Sequence, residues 1–268
     1  MNESGRYLSV AVQAVQKAGR ILMDRLGKLK KADVNQKGKY DWVTTIDRAS
    51  EEAIIRILKK AFPKHTIKAE ESSPRAASSP YHWLIDPLDG TVNYIHGFPM
   101  FGISIALMKA GTLEVGVVYD PWRRELFTAR RGQGAWLNHR RLHVSGHPDL
   151  RESLLATGFP FRAKGSLDLY LESFRRVFLK TGSIRRAGSA ALDLAYVACG
   201  RFDGFWEMAL SPWDMAAGAL LIEEAGGKVS DFLGGTSYLE KGHIIAGNQA
   251  IYRKLLSLLA PVFRGKIA

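Results

Sequence analysis

In the run Trp83-Leu84-Ile85-Asp86-Pro87-Leu88-Asp89-Gly90-Thr91-Val92-Asn93, an apolar stretch delivers two aspartates, three apart, onto a proline–glycine bend. On an extended strand those side chains point to opposite faces. A type I turn, which favours Asp first and Pro second, brings its ends within about 7 Å. Both carboxylates then converge beside the Leu88 carbonyl. Two like charges held together cost free energy unless a cation lies between them or one takes a proton. Oxygen-only ligands fit a hard cation such as Mg2+, which keeps waters and accepts phosphate oxygens. The Gly90 and Thr91 amides offer the donors that hold an oxyanion at a turn or helix start. Taken alone, Asp-x-x-Asp is more often a solvated turn, so the rest of the chain has to decide.

Other carboxylates stand at element ends, where functional groups collect. Glu70-Glu71 follow a short strand, Thr66 to Ala69. Thr44 or Thr45 caps a second helix, which places Asp47 in its first turn. Ser211-Pro212-Trp213-Asp214 has a cap, a proline at the first helical position and an acid at the third. Each has a plainer reading as well. Asp47 and Asp214 fit ordinary helix-start charges, Glu207 a strand-end acid, and Trp213 core packing. Asp193 reads as structural inside its helix, and Glu223-Glu224 as a solvated helix face. The histidines (His65, His82, His96, His139, His143, His147 and His243) show no metal-ligand spacing. Cys199, the single cysteine, excludes an intramolecular disulfide and reads as a buried, inert thiol.

The elements that must position these groups follow from periodicity. A first helix capped by Ser4 carries Leu8, Ala11, Val12, Val15 and Leu22 to about Leu26, with Gly27 as its stop. A Lys-rich stretch from Lys28 to Tyr40 reads as a strand pair or loop. The second helix turns Ile54, Ile55, Leu58 and Phe62 inward and ends at Pro63. Ser72 to Pro80 is a loop. Strands over Gly102 to Lys109 and Leu113 to Tyr119 meet at an Ala110-Gly111 hairpin. Leu126 to Ala129 and Gly134 to Leu137 continue the meander. Past Pro148, strands (Ser153 to Thr157, Ser183 to Arg186, Phe202 to Met208, Lys228 to Ser230, His243 to Ala246) alternate with helices. These are Ser166 to Lys180, Ser189 to Cys199, the one opened by Ser211, and one from Gln249. Leu167, Leu171, Phe174, Val177 and Phe178 are the expected inner side of the first of them. The expectation is one domain over 1–268, with an antiparallel half (1–147) and an α/β half (148–268).

With 268 residues, 46% hydrophobic, the chain supports a large core. No stretch reaches the roughly 20 apolar residues of a membrane span, and Met1-Asn2-Glu3-Ser4-Gly5 lacks the character of a signal peptide. A cytoplasmic protein is expected. The net charge of +12 is spread over Arg pairs at 123–124, 130–131, 140–141, 175–176 and 185–186. Dispersed pairs read as solvated faces more readily than as one nucleic-acid footprint, although a basic surface attracts phosphate polymers and anionic substrates.

Together with Arg185-Arg186-Ala187-Gly188-Ser189-Ala190-Ala191-Leu192-Asp193-Leu194-Ala195-Tyr196, the stretches Trp83 to Asn93 and Trp213 to Gly227 make the chain from Asp41 through Gly227 resemble the inositol monophosphatase family, its bacterial branch in particular. The resemblance implies an α/β (α+β) fold, an alternating α-β-α-β-α layered sandwich with a metal site between two sheets. It implies Mg2+-dependent, Li+-sensitive hydrolysis of a phosphate monoester with no phosphoenzyme, Mn2+ being an alternative ion. Residue by residue, Glu70, Asp86, the Leu88 carbonyl and Asp89 hold a first metal. Asp86, Asp89 and Asp214 hold a second, and Glu70 faces a third. Asp47 and Thr91 orient the attacking water, and the Gly90 and Thr91 amides hold the phosphate. Glu207, with Gly188, Ser189 and Ala190, contacts substrate hydroxyls, and Asp89 and Asp214 border the substrate too. A functional lysine near Asp41 is Lys37 or Lys39. Ala69 stands where many relatives have glycine, which affects no ligand. Such ions neutralise the phosphate and the leaving alkoxide in an in-line displacement, and Asp47 beside Thr91 can relay the water's proton. Inositol-1-phosphate is the leading substrate expectation, favoured by Glu207; fructose-1,6-bisphosphate and 3′-phosphonucleotides are the alternatives. From another class, the basic excess and the roles of some bacterial relatives favour an RNA- or transcription-machinery-binding protein, RNA polymerase included. Relatives are commonly homodimers.

Overall fold

The computed structural model describes residues 3–38, 41–72, 79–161 and 163–267, with Asp41 described by its backbone alone. Lys39, Tyr40 and most of the loop expected between Ser72 and Pro80 lie outside the described residues. Helix α1 (Glu3–Arg25) buries Tyr7, Ala11, Ala14, Val15, Ala18 and Leu22, a stripe at three- and four-residue spacing. Ser4, expected to cap it, sits inside its first turn instead. Gly27 follows the helix in the left-handed region at φ +72°. The Lys-rich stretch contributes one strand, β1 (Val34–Gly38), which pairs antiparallel with β2 (Asp41–Thr44) beyond it. Thr44, of the two candidates, caps α2 (Thr45–Ala61).

Seven strands then build one sheet in sequence order: β3 (Thr66–Ala69), β4 (Tyr81–Asp89), β5 (Gly102–Lys109), β6 (Thr112–Asp120), β7 (Glu125–Arg130), β8 (Ala135–Leu137) and β9 (Arg140–Arg141). Only β3 and β4 run parallel; the later pairs are antiparallel. A short helix, α3 (Thr91–Ile95), leaves the end of β4. Beyond it come β10 (Leu154–Thr157), α4 (Leu167–Phe178), β11 (Ser183–Arg185), α5 (Ala190–Ala198), β12 (Gly204–Met208), α6 (Pro212–Glu224), β13 (Lys228–Ser230), α7 (Tyr238–Lys241), β14 (His243–Gly247) and α8 (Gln249–Phe263). Their strands form a second sheet in the order β11-β10-β12-β14-β13, parallel across β11, β10 and β12 and antiparallel beyond.

Alternation along the strands sets the layers. Trp83, Ile85, Ile103, Ile105, Val115 and Val117 share a core with α1 and α2. Their neighbours Leu84, Ala106 and Val118 share another with α5, α6 and, from the second sheet, Ala156, Phe205, Ile244 and Ala246. Leu155, Trp206 and Ile245 face a third core with Tyr170 and Val177 of α4 and Ile251, Leu255 and Leu259 of α8. The molecule is therefore an αβαβα layered sandwich. The residues of α5 are all buried because that helix lies in the middle layer, apolar on every side. On α4 the inner side matches the expected one at Val177, which is buried, and at Phe174, which packs against the third core, and differs elsewhere. Tyr170, Ser173 and Val177 are buried, whereas Leu167, Leu171 and Phe178 are exposed. Its apolar residues run wider than one stripe, so periodicity alone chose the wrong edge. Among the described residues, no helix is long and apolar enough to cross a membrane.

Candidate active site

Asp86 and Asp89 reach one cleft through a bulge rather than the expected type I turn. Asp86 pairs with Ser104 and Asp89 with Gly102, so three steps along β4 answer two along β5. The extra residue reverses the alternation and returns Asp89 to the face Asp86 uses. Pro87 has no N–H for the ladder and is tolerated at such an irregularity. Asp86 Oδ1 accepts the Leu88 amide at 3.0 Å. Gly90 then turns into α3 at φ +91°, where a Cβ would stand 2.8 Å from the Met100 carbonyl. Any other residue would be both strained and obstructed there.

Around this strand end the other carboxylates are fixed by their own elements. Asp47 Oδ2 accepts the Thr44 amide (2.9 Å) and hydroxyl (2.5 Å) in a capping box, and its Oδ1 lies 3.0 Å from the Thr91 hydroxyl. That hydroxyl is equally 3.0 Å from the Leu88 carbonyl. Burial raises the Asp47 pKa against the pull of these hydrogen bonds. Glu70, just past β3, lies 3.2 Å from Lys37 Nζ, which also pairs with Glu71. Burial pushes the Glu71 carboxyl up to about 7. Asp89 Oδ2 accepts the Ser189 hydroxyl (2.6 Å) and the Ala191 amide (2.7 Å), tying β4 to the start of α5. Asp214 is the third residue of α6, and its Oδ2 accepts the Ser211 amide at 2.8 Å. Ser104 pins that helix start to β5 by donating to the Trp213 carbonyl at 2.9 Å.

Glu70, Asp86, Leu88, Asp89, Gly90, Thr91, Gly188, Ser189, Ala190, Glu207 and Asp214 all line one cleft of about 610 Å³. Asp47 stands behind it, reaching it through Thr91. Asp86 is 2% exposed, and its carboxyl is held well above the usual range, first by burial and then by the charges of Glu70, Asp89 and Asp214. A buried carboxyl facing the charges of three others, with only oxygen donors around it, makes a site that fits a hard divalent cation. Among the described residues, no three His, Cys, Asp or Glu side chains stand as a group that could hold a metal ion by themselves.

Several contributors were not found from the sequence. Gly158 lies under the Glu207 carboxylate, which comes within 2.2 Å of where a Cβ would be. Asn93 Nδ2 donates to the Met100 (2.7 Å) and Ala187 (3.0 Å) carbonyls and so holds α3 against the loop before α5. Arg186, stacked over Phe159 and Phe161, lines the same cleft. Asp193, taken as structural, also lines it. These are contacts across the fold and leave no mark in local spacing. The reading of Glu223-Glu224 as a solvated helix face changes too. Glu224 accepts the Gly132 and Gly134 amides (2.7 and 2.8 Å) and Glu223 pairs with Arg131, so this helix end clasps the β7–β8 turn.

The layered αβαβα sandwich with an acid-lined cleft at the strand and helix ends defines the class. Within it the chain belongs to the inositol monophosphatase family, whose model matches residues 4–267. A Pseudomonas aeruginosa protein described as Nus factor SuhB is 52% identical over 259 residues, covering 95% of this chain and 96% of that one. A Mesorhizobium japonicum protein described as inositol-1-monophosphatase is 46% identical over 250 residues, covering 93% and 94%. The solved inositol monophosphatase of Anabaena matches with a TM-score of 0.88 and 41% identity over 97% of each chain. The family is generally metal-dependent.

Proposed function

We propose that this protein hydrolyses the phosphate monoester of a polyol, inositol-1-phosphate first among candidates, with Mg2+ held by Glu70, Asp86, the Leu88 carbonyl, Asp89 and Asp214. One observation carries the reading: a carboxyl as buried as Asp86 faces three further acids across an open cleft. Bound there, Mg2+ (or Mn2+) offsets the phosphate charge and eases the loss of the alkoxide. The Gly90 and Thr91 amides hold the phosphate oxygens at the bend after β4. Asp47, locked by Thr44, holds the Thr91 hydroxyl, and the pair orients the attacking water and takes up its proton. Glu70 closes the same side, with Lys37 setting its position. Glu207, Gly188, Ser189 and Ala190 meet the alcohol part of the substrate.

The test is phosphate release from inositol-1-phosphate, fructose-1,6-bisphosphate and a 3′-phosphonucleotide, each with Mg2+ or with chelator. Metal-dependent release, fastest from inositol-1-phosphate, is the expected result. No release from any of them overturns the reading. Li+ inhibition in the same assay is a further expectation.

A second reading is favoured by the net charge of +12 and by the Nus-factor description of the P. aeruginosa relative. In it, the phosphatase scaffold also engages RNA or the transcription machinery in the cytoplasm, as a homodimer or as a single chain. Salt-titrated RNA binding tests the direct form: affinity should fall steeply with salt, and flat, negligible binding removes it.

A further inference from the structure

Asp193 lies on the middle-layer helix α5 and is 1% exposed, yet it borders the cleft. Its Oδ1 has no hydrogen-bond partner. A buried polar oxygen left unpaired is unusual in a folded protein and calls for a partner from outside. The groups that act on it electrostatically identify that partner. Burial opposes its ionisation most, the charges of Glu207 and Asp89 add to that, and Arg186 favours it less than any of these opposes it. An anion would be repelled by these acids, and an apolar group would leave the oxygen unpaired. A hydroxyl donor satisfies it.

We propose that Asp193 is a specificity-determining residue, its carboxyl taking a hydroxyl of the polyol beside the one held by Glu207, so that the cleft selects phosphate esters of alcohols with neighbouring hydroxyls. This rests on the phosphatase reading for its substrate, but hydroxyl recognition can be measured without turnover. The phosphate donors, Gly90 and Thr91, stand at the end of β4 and the start of α3, whereas Asp193 stands on α5, so the two groups belong to different elements lining one cleft. Asp193 is also distinct from the carboxylates assigned to the metal, since its electrostatic partners include Asp89 but neither Asp86 nor Asp214.

The experiment compares wild type with Asp193→Leu, which is apolar and of similar size, and Asp193→Asn, which keeps an acceptor oxygen. Each is assayed on myo-inositol 1-phosphate and on 4-nitrophenyl phosphate, which has no hydroxyl on its alcohol part. Binding of myo-inositol 1-phosphate and of inorganic phosphate is measured by calorimetry in parallel. Asp193→Leu should lower kcat/KM and affinity for the inositol ester about tenfold or more, the loss of one well-made hydrogen bond. Values for 4-nitrophenyl phosphate and inorganic phosphate should stay within about twofold, and Asp193→Asn should recover most of the loss. Equal losses on both esters, or none on either, overturn the proposal, as does wild-type binding of the inositol ester no tighter than that of inorganic phosphate. If Asp193→Leu does not fold, Asp193→Ala, which also lacks the acceptor, is assayed on the same two esters: a loss confined to the inositol ester supports the proposal, and equal losses or none sink it. Selective binding without turnover would uphold Asp193 while refuting the phosphatase reading.

Discussion

Replacing Gly158 by alanine should damage substrate selection while leaving the fold nearly untouched. The new Cβ would stand 1.9 Å from Glu207 Oε1, against an ordinary contact of 3.4 Å or more, so the carboxylate must retreat by about 1.5 Å. The obstructed atoms are the far end of a flexible side chain, and the backbone need not move. Stability should therefore change by less than about 1 kcal/mol, a shift of a few degrees in Tm. For catalysis the same displacement is large, since a misplacement of about 1 Å costs roughly 100-fold. If Glu207 contacts the alcohol part of the substrate, kcat/KM for myo-inositol 1-phosphate should fall by about that factor. The value for 4-nitrophenyl phosphate should fall by less than about threefold. The assay is steady-state phosphate release on both esters, with thermal denaturation as the control for folding. An unchanged ratio between the two substrates refutes the assignment of Glu207, whatever happens to the absolute rates.

Asp89→Asn keeps an oxygen for the Ser189 and Ala191 donors, so the chain should fold, but phosphate release should drop by about 10²–10³-fold; near-normal turnover removes this residue from the metal site. Mg2+ at 100 times its dissociation constant should stabilise the protein by about 2.7 kcal/mol, read as a Tm rise of several degrees that chelator reverses and Asp214→Asn shrinks; no shift at high Mg2+ counts against the site. His65 Nδ1 accepts the Trp83 indole N–H at 3.2 Å, and burial lowers its pKa below the usual 6.5. The unfolded chain therefore takes up that proton first, and the stability His65 contributes is present above about pH 6.5 and lost as pH falls below it. Melting temperatures from pH 8 to 5 should decline less steeply for His65→Gln than for wild type, and parallel profiles would refute this.

Local chemistry explains how much of this was legible from sequence. Thr44 with Asp47 and Ser211 with Asp214 are capping boxes, contacts between residues three apart, so the sequence displays them directly. The Ala110-Gly111 hairpin and the Gly27 stop are likewise short-range. The bend at Asp86 was misread because a turn and a bulge both bring Asp86 and Asp89 to one side, and only the pairing with β5 distinguishes them. The inner side of α4 is legible at Phe174 and Val177 but not at Leu167, Leu171 and Phe178, because its apolar residues exceed the width of one face and the choice belongs to the packing against α8 and the second sheet. Gly158 under Glu207 and Asn93 on the Ala187 carbonyl join residues 49 and 94 positions apart, beyond any pattern in a window.

The same distinction bears on how the cleft is built. Asp47, Asp86 and Asp214 each give one carboxylate oxygen to a backbone amide two or three residues away, and Asp89 gives one to the start of α5. Asp47, Asp86 and Asp214 thus close the elements that carry them and Asp89 joins its strand to α5, and these bonds fix the direction of each carboxyl. A lysine or alanine at any of these positions would release a helix start or a strand end as well as a charge. The repulsion at Asp86 is tolerated because backbone amides hold Asp86, Asp89 and Asp214 in place and Lys37 pairs with Glu70. Asp193 has no such attachment: its Oδ1 meets neither a cap nor a turn. Asp86, Asp89 and Asp214 each hold a backbone amide and Glu70 pairs with Lys37, whereas Asp193 keeps an oxygen for what enters the cleft.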